Sequence, residues 1–470
     1  MQGNRYFCVM NLPESFVQMI ERLAPTEAQP LLHAISTTAA SVSVRVNTLR
    51  AVDVPLGARL VPWCPSGFYL EQRPPFTFDT DWHAGRYYVQ DASSMFIGHV
   101  ITSLVDGPVR YLDLCAAPGG KATAAMSALP EGSLVVANEV VPARARALVD
   151  NVMRWGSPHA VVASSLPAQW GQKMRNFFDV VAADVPCSGE GMMRKDDEAV
   201  SQWSPALVEQ CAARQRSIVS DVWPALRPGG LFIYSTCTYN RQENEAMVQW
   251  LIDQLGAQPV AVPVREEWQI HPAIDADFPA YRFMPHRTPG EGLFMAVLRK
   301  PDEGLSASSL FKKVKSAREG AVPATVKSWL RADVPMALTV HADTVVAVPR
   351  LHEEAVAALR QGVNVIHAGV AVASLKGKTC VPHHGLALST ALERDAFAEA
   401  EVDYRTAMAY LRGEAVVVDA PRGPVLLTRD GAALGWVNNL GNRANNLYPK
   451  GLRVLSSHIP DTEPAILGRH

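Results

Sequence analysis

Two cysteines and an aspartate carry the most reactive chemistry in this sequence. In the stretch FDVVAADVPCSGEGMMRKD, from Phe178 to Asp196, an apolar run over Val180 to Ala183 ends in Asp184-Val185-Pro186-Cys187-Ser188-Gly189. The run reads as a buried strand whose C-terminal edge presents a carboxylate and a thiol on a turn shaped by Pro186 and Gly189. A second thiol, Cys237, sits in Ser235-Thr236-Cys237-Thr238-Tyr239, just after a strand predicted over Gly230 to Ser235. A single buried cysteine is normally inert. Two of them at neighbouring strand ends beside an aspartate point to chemistry rather than packing. That edge is where open parallel sheets bind ligands. Spacing alone leaves open which thiol attacks.

A cofactor turn lies upstream. Val109 to Leu114 reads as a strand, followed by Cys115-Ala116-Ala117-Pro118-Gly119-Gly120-Lys121 and a helix through Leu129. Glycines at such a turn let the backbone approach a ligand, and the helix N-terminus offers free N–H donors. The turn is not GxGxxG, which disfavours a dinucleotide. Cys115 stands where a P-loop needs its first glycine. Glu139 follows the next strand, Leu134 to Ala137, about twenty residues on, where a carboxylate commonly holds ribose hydroxyls. The combination fits an adenosyl cofactor.

These residues need a scaffold, and the pattern supplies one. A chain of 470 residues is expected to form about two to four domains. After Val109 the order continues with a helix from Pro142 to Trp155, which carries Arg144, and strands over Ala160 to Ala163 and Phe178 to Ala183. A helix over Pro205 to Leu226 follows, then Leu226 to Gly230 as a loop leading into the Gly230 to Ser235 strand. This alternation predicts a doubly wound α/β sheet, closed by a hairpin of Tyr281–Phe283 with Leu293–Leu298. Upstream, a helix from Glu14 to Leu23 and strands at Ser43–Thr48, Trp63–Leu70 and Tyr87–Val89 predict a small α+β unit. Its Arg45 and Asn47 read as polar residues alternating on a half-buried strand. Lys300 to Arg331, with Lys312, Lys313, Lys315, Arg318 and Lys327, reads as a basic connector. Met336 to Leu455 carries short apolar runs, including Val363 to Leu375, that predict β-rich structure.

Composition excludes several classes. Hydrophobic residues make up 48% and charged residues 19%, as in soluble globular proteins. A formal net charge of −2 confines any nucleic-acid surface to a local patch. The 7 cysteines form no CxxC pair, so neither a zinc module nor a disulfide framework is expected. His383-His384 reads as a surface loop. The first residues lack a basic segment followed by an apolar core, and no apolar run is long enough to span a bilayer. A reduced cytoplasm is expected, with no metal and no membrane.

The segments DLCAAPGGK, DVPCSGEGMMRKD and YSTCTYN together resemble the signatures of the Nol/Nop/Sun RNA cytosine-5 methyltransferases. RVNTLR, RFMPHRTPGEGLFMA and GWVNNLGNRANNLYPKGLRV narrow the resemblance to RsmF-type enzymes of the bacterial small ribosomal subunit. It spans most of the chain and is weakest from about Pro301 to Gly385. It implies a Rossmann-like S-adenosylmethionine methyltransferase core with a small N-terminal α+β domain and a C-terminal β-rich PUA-like domain. The expected boundaries are 1–90 for an RNA-binding N-terminal domain and 91–300 for the methyltransferase domain. A connector and intermediate β-rich region fill 301–385, and the PUA-like RNA-binding domain takes 386–470.

The same resemblance assigns Cys237 as nucleophile and Cys187 as the cysteine that assists product release, with Asp184 and Lys121 acting on the base. Cys115, Ala116, Ala117, Pro118, Gly119, Gly120, Lys121, Glu139 and Asp184 would line the cofactor site, with Arg144 approaching it. Arg194, Lys195, Asn442, Arg443, Tyr448 and Lys450 are candidate RNA contacts, since amides, cations and an aromatic suit that task. One departure stands out. The family has an aspartate near the end of the third strand, on the adenine side, where this chain reads Ala163-Ser164-Ser165-Leu166. The expected activity is methylation of carbon 5 of a cytosine in 16S rRNA by a monomer acting on rRNA or the small subunit. A tRNA cytosine-5 methyltransferase and a non-catalytic RNA-binding assembly factor are the alternatives.

Overall fold

The computed structural model describes residues 11–50, 54–55, 57–302, 322–377, 379–456, 458–464 and 466–468. The basic residues Lys312, Lys313, Lys315 and Arg318 of the expected connector lie outside them. A 9-stranded sheet organises the chain. Its strands run Gln258–Pro259, Leu293–Arg299, Leu226–Thr236, Phe178–Asp184, Arg110–Asp113, Leu134–Asn138, Ala160–Ala163 and Val365–Ala368, with Tyr281–Phe283 paired to Leu293–Arg299. The strands from Leu226–Thr236 across to Ala160–Ala163 are mutually parallel. They are apolar on both faces because helices cover both. Tyr111, Val135, Val162 and Val180 pack into one core, and Leu112, Val136, Val161 and Val181 into the other, the period-two alternation of a pleated strand.

Local signals set the helix limits. Pro142–Trp155 has proline in its first turn and ends at Gly156, whose φ of 86° stops the helix. Pro205–Val222 is capped by the Ser204 side chain, which accepts from Leu207 N. Leu226 to Gly230 is strand rather than loop. Leu226 pairs with Phe178 across the sheet, and Arg227 Nε reaches Asp179 at 2.7 Å. The chain crosses from one half of the sheet to the other beside Arg110–Asp113. The crevice therefore opens between the C-terminal ends of that strand and Phe178–Asp184.

Three further sheets surround this core. The N-terminal sheet, in order Arg59–Val61, Cys64–Leu70, Val42–Val46 and Tyr87–Val89, packs behind the cofactor turn. Arg45 and Asn47 on it are not half-exposed alternating polars, because both are buried. Arg45 Nη2 donates to Thr123 at 2.7 Å and its Nε to Gln90 at 2.7 Å, while Asn47 Nδ2 donates to the Gly85 and Trp155 carbonyls. They bind this unit to the helices that cover the central sheet. The helices Glu14–Leu23 and Ala28–Thr37 pack on Met193, Trp203 and Tyr239, beside the two cysteine turns.

The run Val363 to Leu375 divides between two sheets. Val365–Ala368 adds antiparallel to Ala160–Ala163, and Val370–Lys376 enters a sheet with Met336–His341, Thr344–Pro349 and Thr379–Pro382. Gly369 makes the break at φ 60°, where a Cβ would lie 2.1 Å from Ala347 O. The last sheet holds Ala398–Glu401, Gly423–Arg429, Ala432–Asn439 and Ala444–Asn446. Leu426 and Trp436 face the preceding sheet's core while Leu427 and Val437 face a separate one.

His384 is buried at the junction of the N-terminal and C-terminal units, not in a surface loop. Burial displaces its pKa from 6.5 to about 3, and that of His83 to about 4. His83 Nδ1 lies 3.2 Å from Tyr448 Oη, and the His384 ring packs edge-on against Tyr448. Unfolded histidine takes up its proton as pH falls through 6.5, whereas these two stay neutral until near pH 4. Their stabilisation is therefore complete above pH 6.5 and is lost as pH falls from there towards 4. Each histidine forfeits up to about 2 kcal/mol by pH 5. Denaturant midpoints between pH 7.5 and 5 should fall accordingly, and a His384→Asn variant should show a shallower pH slope. An unchanged slope would remove His384 from this linkage.

Candidate active site

The parallel register that sets Asp184 opposite Ser235 brings the reactive residues together. Cys187 lies three residues beyond its strand end and Cys237 directly after its own, and Cys187 Sγ lies 3.1 Å from Cys237 Sγ. Both are free thiols. Asp184 Oδ2 takes the Lys121 ammonium at 2.8 Å, and its Oδ1 accepts from Ser235 Oγ at 2.8 Å. Burial works against the Lys121 charge, but the Asp184 carboxylate outweighs it and raises the lysine pKa; Cys237 adds to that attraction. The Cys187 thiol is pushed well above its ordinary range, first by its hydrogen bond with Cys237 and then by burial.

Two buried glutamates hold the cysteine turns in place. Glu190 Oε2 accepts from the backbone N–H of Tyr239 at 2.6 Å and of Asn240 at 3.0 Å. Glu243 Oε2 accepts from Ser188 N at 3.0 Å and from Gln215 Nε2 at 2.7 Å. The Asn240 side chain donates to both carboxylates, at 2.9 and 2.8 Å, and Gly191 N donates to Cys237 O at 2.8 Å. Each turn is thus braced by an acid borne on the other. Behind them Arg282 and Glu245 form a buried ion pair, and Arg282 Nη1 donates to Tyr239 O at 2.7 Å. Sequence reading missed these groups. Their only trace is acids inside SGEG and QENE, and composition does not tell a buried acid from a surface one.

The cofactor turn leaves Arg110–Asp113 through a cis Ala117–Pro118 peptide and Gly119, at φ 119°. Cys115, Ala116 and Ala117 are largely buried along it, and burial pushes the Cys115 thiol up. Glu139 is buried at the end of the second strand. Its Oε1 accepts from Val141 N at 2.9 Å, and its Oε2 faces Arg144 Nη1 at 3.3 Å. Arg144 Nη2 donates to Ala117 O at 2.9 Å, tying the acid to the turn. Asp113, also missed from sequence, is fully buried, and its Oδ2 has no partner among the described residues. Burial, then the Asp184 charge, pushes its pKa up to about 7. A buried carboxyl with one oxygen unpartnered, a buried acid after the second strand and a glycine turn suit a ligand with a cationic centre and a ribose.

The candidate RNA contacts divide. Asn442, Arg443 and Lys450 are exposed. Tyr448 is buried, 5% exposed, between His83, His384 and Tyr410, so it is a core residue and offers no stacking face. Arg194 is committed to the carbonyls of Thr38, Ala39 and Gly290, and Lys195 pairs with Glu291. Both anchor the loop after Cys187 rather than reach towards phosphate. At the end of the third strand Ser165 is buried, and Asn138 bonds its backbone N–H and carbonyl, each at 3.0 Å. No group of three or more histidine, cysteine or acidic residues suited to a metal occurs among the described residues. No described helix is long and apolar enough to cross a membrane.

Comparison with known proteins gives this geometry a family. Residues 104–299 match the family described as 16S rRNA methyltransferase RsmB/F. Residues 12–92 match the N-terminal domain of 16S rRNA methyltransferase RsmF, and 397–454 match the methyltransferase RsmF PUA domain. Ribosomal RNA small subunit methyltransferase F of Klebsiella pneumoniae is 31% identical over 437 residues, covering 87% of this chain and 90% of that protein. The Erwinia tasmaniensis protein of the same name is 29% identical, covering 94% of this chain and 96% of its own. The Cronobacter sakazakii protein is 35% identical over 308 residues, and the match spans 63% of its length. Among solved structures, a methyltransferase homologue from Pyrococcus horikoshii shares the fold with a TM-score of 0.53 at 24% identity, covering 62% of this chain and 96% of that one. NSun6 from Pyrococcus horikoshii with SFG does so with a TM-score of 0.54 at 18% identity, covering 63% and 100%. Methyltransferase core, N-terminal unit and strand-rich C-terminal unit all find their counterparts, and the chain belongs to the family of ribosomal RNA small subunit methyltransferase F.

Proposed function

We propose that this protein transfers a methyl group from S-adenosylmethionine to carbon 5 of a cytosine in 16S rRNA, through a covalent adduct on Cys237, as a cytoplasmic monomer. The observation that carries the reading is the 3.1 Å approach of two free thiols beside the Asp184–Lys121 pair. Bound at the Cys115–Lys121 turn and Glu139, the cofactor would supply an electrophilic methyl on a sulfonium. Carbon 5 of cytosine is too electron-poor to take it unaided. Cys237, having lost its proton to water, adds as thiolate to carbon 6; the carbon 5–carbon 6 double bond opens and the ring becomes an enamine nucleophilic at carbon 5. Asp184 and Lys121 meet the polar edge of the base and stabilise the charge that develops there. Once carbon 5 is methylated, its proton leaves to water, the carbon 6–sulfur bond breaks, and Cys237 departs as thiolate. The Cys187 thiol donates its hydrogen bond to that sulfur. The target cytosine must be unstacked to reach both thiol and methyl.

The division at 1–90, 91–300, 301–385 and 386–470 belongs to the same reading, with exposed Asn442, Arg443 and Lys450 as RNA contacts of the last unit. Tritium transfer from labelled S-adenosylmethionine to naked 16S rRNA, assembled small subunits and bulk tRNA tests it. Label should enter ribosomal RNA and vanish with Cys237→Ala; label in tRNA alone would move the substrate. Asp184→Asn should slow single-turnover transfer about a hundredfold or more. A loss under about threefold, roughly 0.7 kcal/mol, would exclude Asp184 from the chemistry.

A further inference from the structure

The third strand lacks the acid that its family places on the adenine side, yet its end is not bare. Another part of the chain meets it. Ser164 N donates to Asn364 O at 2.9 Å, and Asn364 N donates to Ser165 Oγ at 2.9 Å. Asn364 immediately precedes the strand Val365–Ala368, which joins the sheet alongside Ala160–Ala163. It lies between the two stretches matched by the methyltransferase and PUA families. Its backbone is thus fixed on the sheet edge that carries Glu139, while its side chain is exposed.

The carboxamide is oriented. Nδ2 lies 3.4 Å from Ser164 O, and Oδ1 accepts no hydrogen bond among the described residues. The Ser165 hydroxyl is already engaged by Asn364 N, so it is a poor substitute for the acid. Large apolar side chains remain exposed on the same edge: Val140 and Val141, at 43% each, after Glu139, and Leu166, at 62%, next to Ser165. Exposed apolar groups beside an acid that can bind ribose suit the faces of a planar base.

We propose that Asn364 sets the nucleobase specificity of the cofactor site, its Oδ1 accepting from the exocyclic amine of adenine in place of the missing aspartate. The inference rests on the proposed use of S-adenosylmethionine. It makes the segment between the matched stretches part of the cofactor site, so the methyltransferase unit alone would hold the base incompletely. An amide is a weaker acceptor than a carboxylate, and it also carries a donor; an aspartate at 364 would accept only.

Calorimetric titration with S-adenosylhomocysteine and S-inosylhomocysteine, which differ at that amine, tests the proposal on the full chain. The unaltered protein should prefer the adenosyl compound about tenfold. Asn364→Ala should bring the preference close to unity, and Asn364→Asp should raise it above that of the unaltered protein, at unchanged melting temperature. If the alanine variant proves unstable, the near-isosteric aspartate decides. A preference unchanged in the aspartate variant overturns the proposal while leaving the methyltransferase reading intact. Failure of the unaltered protein to bind either compound overturns both.

Discussion

The site depends on one register. Phe178–Asp184 and Leu226–Thr236 run parallel with Asp184 opposite Ser235, and side chains alternate faces along each strand. A slip by one residue would turn Asp184 away from Lys121 and set the two cysteine turns at different heights. The register is held from both ends. At the start Asp179 receives Arg227 at 2.7 Å, and at the finish Glu190 and Glu243 cross between the turns. Both glutamates are buried and bound chiefly by N–H donors, which is costly unless every bond is made. That arrangement gives the thiol pair a fixed geometry before any substrate arrives.

Fixed geometry also makes two chemically equal cysteines unequal. At 3.1 Å either thiol can donate to the other, but that contact and burial together push the Cys187 thiol well above its ordinary range. Glu243 reinforces the difference because its carboxylate opposes a negative charge on Cys187. Lys121, joined to Asp184, brings a positive charge to the Cys237 side. The motif spacing contains none of this asymmetry. It arises from which acid and which cation the fold places beside each sulfur.

Sequence reading succeeded where local pattern and final environment agree. The helix Pro142–Trp155 and the strand Ala160–Ala163 coincide with their predicted limits because proline, glycine and a short apolar run define them. Asp184, Cys187, Cys237 and Glu139 lie on one sheet edge, as the strand ends required. Val365–Ala368 escaped notice because an apolar run reports burial but not its partner, and Gly369 divides what reads as one stretch. Tyr448 and Arg194 misled for a related reason. Their types suit RNA, whereas the neighbours that bury or engage them come from distant segments: His83 and His384 for one, Thr38, Ala39 and Gly290 for the other.

In the proposed mechanism Cys237 attacks while Cys187 keeps the proton and helps the product leave. The most direct measurement is peptide mapping of covalent protein–RNA species formed by Cys187→Ala with 16S rRNA substrate and S-adenosylmethionine. A slowly migrating adduct is expected, its RNA attached at Cys237, and it should disappear in the Cys187→Ala, Cys237→Ala double variant. Absence of any adduct with Cys187→Ala, or an adduct at Cys187 in the Cys237→Ala protein, would contradict that mechanism.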